Sequence, residues 1–285
     1  MSTTSAPASA PASASTLPVI AFIGGGNMAS AIIGGLIHQG LPASQIEVVE
    51  PWAEAREALR KHYGIEAQAE AGPALQRAGI VVWAVKPQTF KDAAAQAKAH
   101  TQQALHLSVA AGIRSDSIAQ WLATERIVRT MPNTPALVGK GMSALYARPA
   151  VTPAERQSVE AIMASTGEFL WVEEEKQLDA VTALSGSGPA YVFYFLEAMT
   201  RAGVGLGLSE QQAHQLAVGT FVGASELARR SDEPPAVLRQ RVTSKGGTTY
   251  AALQSMEGDG VATAFERAMQ AACQRADELG NEFGK

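Results

Sequence analysis

Val19-Ile20-Ala21-Phe22-Ile23-Gly24-Gly25-Gly26-Asn27-Met28-Ala29 decides the fold. Its first five residues are apolar and mostly branched, as in a parallel strand buried on both faces. The glycines that follow fit G-x-G-x-x-A, with the small positions at Gly24, Gly26 and Ala29. Such a pattern supplies a tight turn, then a place where backbone can touch a pyrophosphate, then a small residue that lets a helix pack on the strand. A helix over 28–38 continues the chain. Its first N–H groups lack intrahelical partners, and its dipole favours an anion there. The glycines could also serve close packing alone, but strand, turn and helix stand in the order that dinucleotide binding requires. Gly24, Gly26, Asn27, Met28 and Ala29 are the expected contacts.

Working outward, short branched runs at 46–49, 80–85, 105–109 and 127–130 read as further strands. Helical stretches separate them, one over 52–63 ending near Gly64. The alternation predicts an α/β domain, a Rossmann-type, mainly parallel sheet with helices on both faces and right-handed crossovers. Segments 143–146 and 168–172 are candidate edge strands. After Glu173-Glu174-Glu175 no good strand remains, and helices are expected over 189–201, 211–230 and 262–279. Three regions follow: a disordered Ala/Ser/Pro tail over 1–18, a dinucleotide-binding domain over 19–172, and a helical domain over 173–285. Tyr191-Val192-Phe193-Tyr194-Phe195-Leu196 offers almost no polar face. A helix apolar all round is buried all round, which points to a second subunit.

The bulk composition narrows the class. Apolar residues make up 46% of the 285-residue chain and charged ones 18%, enough for a packed core. The net charge is −4 and no Lys/Arg cluster stands out, so nucleic acid is not an expected partner. No apolar run reaches the roughly 18 residues of a membrane span. One cysteine, Cys273, forbids an intrachain disulfide and suits a reducing, cytoplasmic setting. The five histidines, His38, His62, His100, His106 and His214, show no metal-ligand spacing, and no metal is expected.

Ligands of open α/β sheets lie beyond the carboxyl ends of the strands. Glu50 ends the second strand, where an acidic side chain can bond a ribose 2′-hydroxyl and repel a 2′-phosphate. That reading leans toward NAD, a solvated glutamate is the alternative, and Arg56 is the only candidate cation nearby, so the choice between NADH and NADPH stays open. Ala84-Val85-Lys86-Pro87 follows the third strand, and Lys86 is either a cofactor contact or a surface lysine. Asn133, in Met131-Pro132-Asn133-Thr134-Pro135, orders its own loop or lies near the nicotinamide. In the helical part, Thr243-Ser244-Lys245-Gly246-Gly247-Thr248-Thr249 precedes a helical turn over 250–255. Its exposed N–H groups and hydroxyls form either an anion site or an ordinary N-cap. Leu184-Ser185-Gly186-Ser187-Gly188-Pro189 reads as a helix start with proline near its first position.

Taken together, these motifs resemble pyrroline-5-carboxylate reductases from about residue 19 to 280. The stretches that carry the resemblance are 22–28, 84–87, 129–135, 184–191 and 243–249, the last two in this order being the most specific. The resemblance implies NAD(P)H-dependent reduction of L-1-pyrroline-5-carboxylate to L-proline. It also implies a helical dimerisation domain and a homodimer or ring of dimers. Carried over by motif, Ser244 and the backbone of Gly246, Gly247 and Thr248 hold the substrate carboxylate. Thr249 hydrogen-bonds the ring nitrogen and is the candidate catalytic residue. Two rivals use the same first half. A β-hydroxyacid dehydrogenase needs a base, commonly a lysine on the first long helix of the second domain, and 189–203 contains none. A non-catalytic dinucleotide sensor has no use for the 243–249 motif.

Overall fold

The computed structural model describes residues 17–284. Among the described residues seven strands form one sheet: β1 (Ile20–Ile23), β2 (Ile46–Val49), β3 (Ile80–Trp83), β4 (Leu105–Ser108), β5 (Ile127–Met131), β6 (Gly141–Ala147) and β7 (Gly167–Trp171). Their spatial order is β2-β1-β3-β4-β5-β6-β7. β1 to β5 are parallel, β6 runs antiparallel to β5, and β7 is parallel to β6. The expected mainly parallel sheet is present. The segment expected at 143–146 as an edge strand is internal, because β7 pairs along its outer side.

Alternation along β1 explains the layering. Ile20 and Phe22 enter one core with Ile32, Ile33 and Leu36 of α1 (Asn27–His38). Ala21 and Ile23 enter the other with Phe90 and Ala94 of α3 (Pro87–Ala97). Both faces are covered, so β1 and β3 are buried at every position. α2 (Ala53–Tyr63) ends at Gly64, whose φ of 68° is the left-handed cap that glycine adopts without strain. The tail expected over 1–18 lies outside the described residues except for its end. There Leu17 is buried in the core rather than free.

Contacts divide the chain into two compact units. The first holds the described residues up to Ser187 and those from Ala272 onward; the second is Gly188–Ala271. The division falls later than residue 173 because long-range polar contacts tie 173–187 to the sheet. Glu175 accepts from Arg129 Nη1 and from the Ser115 backbone N–H, both at 2.6 Å. Arg114 pairs with Asp179 and, from the C-terminal segment, Asp277. Burial works to lower the pKa of the Arg129 guanidinium, and Glu175 beside it opposes that.

The first unit also holds α4 (Ser115–Leu122), α5 (Pro153–Ala164) and α6 (Gln177–Val181); in the second, α7 (Gly188–Gly205) packs on α8 (Glu210–Arg230). A Cβ on Gly203 would come within 2.8 Å of the Ala213 Cβ, so glycine permits this close crossing. Phe265 of α11 (Val261–Phe283) sets its ring edge-on against Tyr191 and Phe195. The helical stretch at 191–196 is not enclosed within one chain: Phe193 is 58% and Tyr194 65% exposed. α9 (Pro235–Arg241) and α10 (Thr248–Gly258) complete the unit; α10 is a full helix where a turn was expected. Among the described residues no helix is long and apolar enough to cross a membrane.

Candidate active site

The sheet order reverses at β1, so the carboxyl ends of β1 and β3 flank a crevice of the kind that receives ligands. The glycine turn lies there. Gly24 has φ 97°, and a Cβ on it would sit 2.6 Å from the Ala84 carbonyl oxygen and 3.2 Å from Val85 Cγ1. The 84–87 loop is therefore packed directly on the turn. Gly24 N–H donates to Val49 O, and Ala84 N–H donates to Ile23 O, each at 2.8 Å. Pro87 opens α3 at a position where its missing N–H is harmless, and Lys86 precedes it as N-cap.

Gly26 is the N-cap of α1, and no side chain caps that helix. A Cβ on Gly26 would meet nothing within 4 Å, so space stands open above the helix start. Asn27 and Met28 begin the helix, and Ala29 is wholly buried beneath it. This arrangement fits a pyrophosphate: an open cradle, uncapped N–H groups, and the positive end of a 12-residue helix.

Glu50 is neither solvated nor turned outward. It is 5% exposed, Oε2 accepts from the Gly25 N–H at 2.7 Å, and Oε1 accepts from the Trp52 N–H at 2.8 Å. Its carboxylate thus braces the glycine turn from below. Arg56, on the first turn of α2, folds Nη1 onto the carbonyl oxygens of Glu50 (2.9 Å) and Pro51 (2.7 Å).

Asn133 follows β5 and spends its amide on the protein. Nδ2 donates to the Ser185 carbonyl (3.2 Å) and hydroxyl (3.1 Å), while Oδ1 accepts from the Met142 N–H (2.9 Å). Ser185 lies in a π-helical turn, Thr182–Gly186, that no periodicity in the sequence betrays. Asn133 therefore ties the π-helical turn at Ser185 to β6, and the turn that follows Asn133, Thr134–Val138, packs on α1.

The other set lies in the second unit. Gly246 has φ 76° and shapes the turn that delivers Gly247 as the N-cap of α10. Gly247 N–H donates to Ser244 O at 3.0 Å. A Cβ on Gly247 would stand 2.7 Å from Ser244 Oγ, so the serine hydroxyl sits against the helix start. No side chain caps α10, and Ser244, Thr248 and Thr249 are all exposed. A hydroxyl, uncapped N–H groups and a helix dipole converge without any fixed cation, an arrangement suited to a small carboxylate. The N-cap alternative has no capping bond to support it.

Comparison with known proteins shows the family. Residues 19–112 match the family described as NADP oxidoreductase, coenzyme F420-dependent. Residues 175–279 match the pyrroline-5-carboxylate reductase dimerisation family. A pyrroline-5-carboxylate reductase of Pseudomonas aeruginosa is 45% identical over 270 residues, covering 94% of this chain and 99% of the relative. The solved structure of a pyrroline-5-carboxylate reductase from Coxiella burnetii is 36% identical. It superposes with a TM-score of 0.86 over 93% of this chain and 99% of that one. The Plasmodium falciparum enzyme, solved with NADP bound, is 29% identical with a TM-score of 0.83, covering 92% and 98% of the two chains. By sequence across both units and by fold, the chain belongs to the pyrroline-5-carboxylate reductase family.

Proposed function

We propose that the chain reduces L-1-pyrroline-5-carboxylate to L-proline with NADPH or NADH, the last step of proline synthesis. The observation that carries this reading is the 45% identity running through 94% of the chain, both units included. In support, each unit offers an uncapped helix start beside a glycine turn.

Bound nicotinamide dinucleotide supplies the hydride. The substrate is a cyclic imine that accepts hydride readily once protonated on nitrogen. Hydride adds to the C=N carbon, the π pair moves to nitrogen, and the nitrogen keeps its proton as the secondary amine. The chain's own work is to bind, orient and shield. Residues 24–29 and 84–87 hold the dinucleotide, Glu50 braces their turn, and Asn133 fixes the neighbouring π-helical turn. Ser244 and the N–H groups of Gly247 and Thr248 hold the substrate carboxylate, with Gly246 giving the turn its shape. Thr249 aligns the ring nitrogen and is an orienting group rather than a strong acid. Holding donor and acceptor in a near-attack geometry is worth on the order of 7 kcal/mol, which explains a site with no His, Cys or carboxylate acting as catalyst. The helical unit joins two copies in a cytoplasmic homodimer or a ring of dimers.

The test is oxidation of NADPH and of NADH, followed by absorbance, with L-1-pyrroline-5-carboxylate and with a cyclic imine lacking the carboxylate. Turnover that depends on the carboxylate is expected. A folded, cofactor-binding protein that oxidises neither cofactor would overturn the assignment.

A further inference from the structure

The geometry points to Arg56 as the residue that makes this chain prefer NADPH, by receiving the adenosine 2′-phosphate, with Glu50 withdrawn from the ribose. The inference rests on the dinucleotide site proposed for the first unit and adds its specificity.

The end of β2 is where the adenosine ribose lies in a site of this topology. Glu50 stands there, and an acidic side chain at that position ordinarily bonds the 2′-hydroxyl and repels a phosphate. Here both carboxylate oxygens are engaged by backbone donors, Gly25 N–H and Trp52 N–H, and the side chain is buried. Its charge is compensated by two N–H groups and directed under the glycine turn. At 5% exposure beneath the turn, the carboxylate presents little of itself to a ribose hydroxyl. Glu50 therefore supports the turn for either cofactor and discriminates against neither.

Arg56 has the opposite disposition. One amino group, Nη1, is pinned by the carbonyl oxygens of Glu50 and Pro51 at the mouth of β2. Those bonds locate the guanidinium and leave Nε and Nη2 outside them. Among the described residues Arg56 enters no ion pair, whereas the neighbouring Glu57 is tied to Arg60. A planar, permanently charged fork held at one corner, with Nε and Nη2 outside those bonds and the residue half-buried, suits a phosphate dianion. The start of α2, which no side chain caps, presents its positive end at the same corner.

Calorimetry on the full chain tests this with 2′,5′-ADP and 5′-AMP, which differ by the phosphate in question, and with NADP+ and NAD+. Wild type is expected to bind 2′,5′-ADP at least about tenfold more tightly than 5′-AMP, the scale of one charge-assisted contact. Arg56→Gln should abolish that ratio while 5′-AMP affinity holds, and Arg56→Lys should restore part of it. Glu50→Gln should weaken NADP+ and NAD+ alike. Equal binding of the two fragments by wild type would overturn the inference, as would a Glu50→Gln protein that gains affinity for NADP+ alone. A folded wild type that binds none of the four nucleotides would overturn the dinucleotide site itself. The wild-type comparison needs no variant, so a misfolded Arg56 substitution leaves the test intact.

Discussion

Gly24 and Gly26 stand two positions apart and answer to different constraints. At Gly24 the φ of 97° and the 2.6 Å approach to the Ala84 carbonyl forbid a side chain in the folded protein itself. Gly24→Ala is expected to cost about 1–3 kcal/mol of stability, seen as a lower denaturation midpoint with or without cofactor. At Gly26 the backbone is extended and the space is open, so Gly26→Val should fold with nearly wild-type stability. The valine then fills the cradle, and NADPH binding by fluorescence titration should disappear. The spacing of these glycines was legible in the sequence, but their division of labour was not, since it depends on where Ala84 lies. Glu50 teaches the same lesson: its position matches a ribose-binding carboxylate, and only its inward rotamer reveals a brace. Thr249 is a residue-scale prediction of the other kind. It is exposed beside the uncapped start of α10, and its loss should touch orientation alone. Thr249→Ala is expected to lower kcat about 10- to 100-fold, the range for one hydrogen bond to a charged group. The NADPH Kd should stay unchanged; a parallel fall in NADPH affinity would remove Thr249 from the substrate side.

Among the elements, β3 and β4 carry a polar pair in an otherwise apolar layer. Trp83 Nε1 donates to His106 Nδ1 at 3.0 Å, and Phe90 stacks on the indole with ring centroids 4.9 Å apart. Burial is the main cause that pushes the imidazole pKa down to about 4, so His106 is neutral in the fold, and its Nδ1 is the acceptor. The unfolded chain, with an ordinary histidine near 6.5, binds more protons between those two values. Stability therefore falls as pH drops from about 6.5 to about 4 and is complete above that window, the total reaching roughly 3 kcal/mol. His106→Gln, whose amide oxygen can accept the indole N–H, should flatten this slope in urea unfolding measured across the window. An unchanged slope would place the acid sensitivity elsewhere. Elements made of local pattern were readable in advance. β1 declared itself by its branched run, and α2 by its glycine stop. What escaped was set by partners distant in sequence. β6 is internal because β7 covers it, and the end of the sheet unit falls at Ser187 because Glu175, Asp179 and Ser185 bond Arg129, Arg114 and Asn133.

For the molecule as a whole, the helical unit leaves much apolar surface uncovered in one chain. Phe193 and Tyr194 on α7 and Leu216, Val222 and Leu227 on α8 are all more than half exposed. Soluble monomers seldom retain so much exposed apolar surface. α8 adds a sharper indication. Gly219 and Gly223 sit inside a 21-residue helix, where each glycine costs about 1 kcal/mol relative to alanine. A Cβ on either would meet nothing within 4 Å in the same chain, so intrachain packing does not require them. Leu216, Thr220, Gly223 and Leu227 recur at intervals of four and three, which places them on one face of the helix. A face of small and apolar residues permits close approach of a helix from a second copy. Gly223→Ala separates the two demands. It should raise helix propensity and leave the fold of each chain intact, yet weaken self-association. Gly223→Leu should weaken it further and bring turnover down with it. Sedimentation velocity over a dilution series reads the effect directly. A Gly223→Leu protein that stays as tightly associated as wild type would rule out this face of α8 as a contact between copies. Dissociated chains with full turnover would instead separate catalysis from dimerisation.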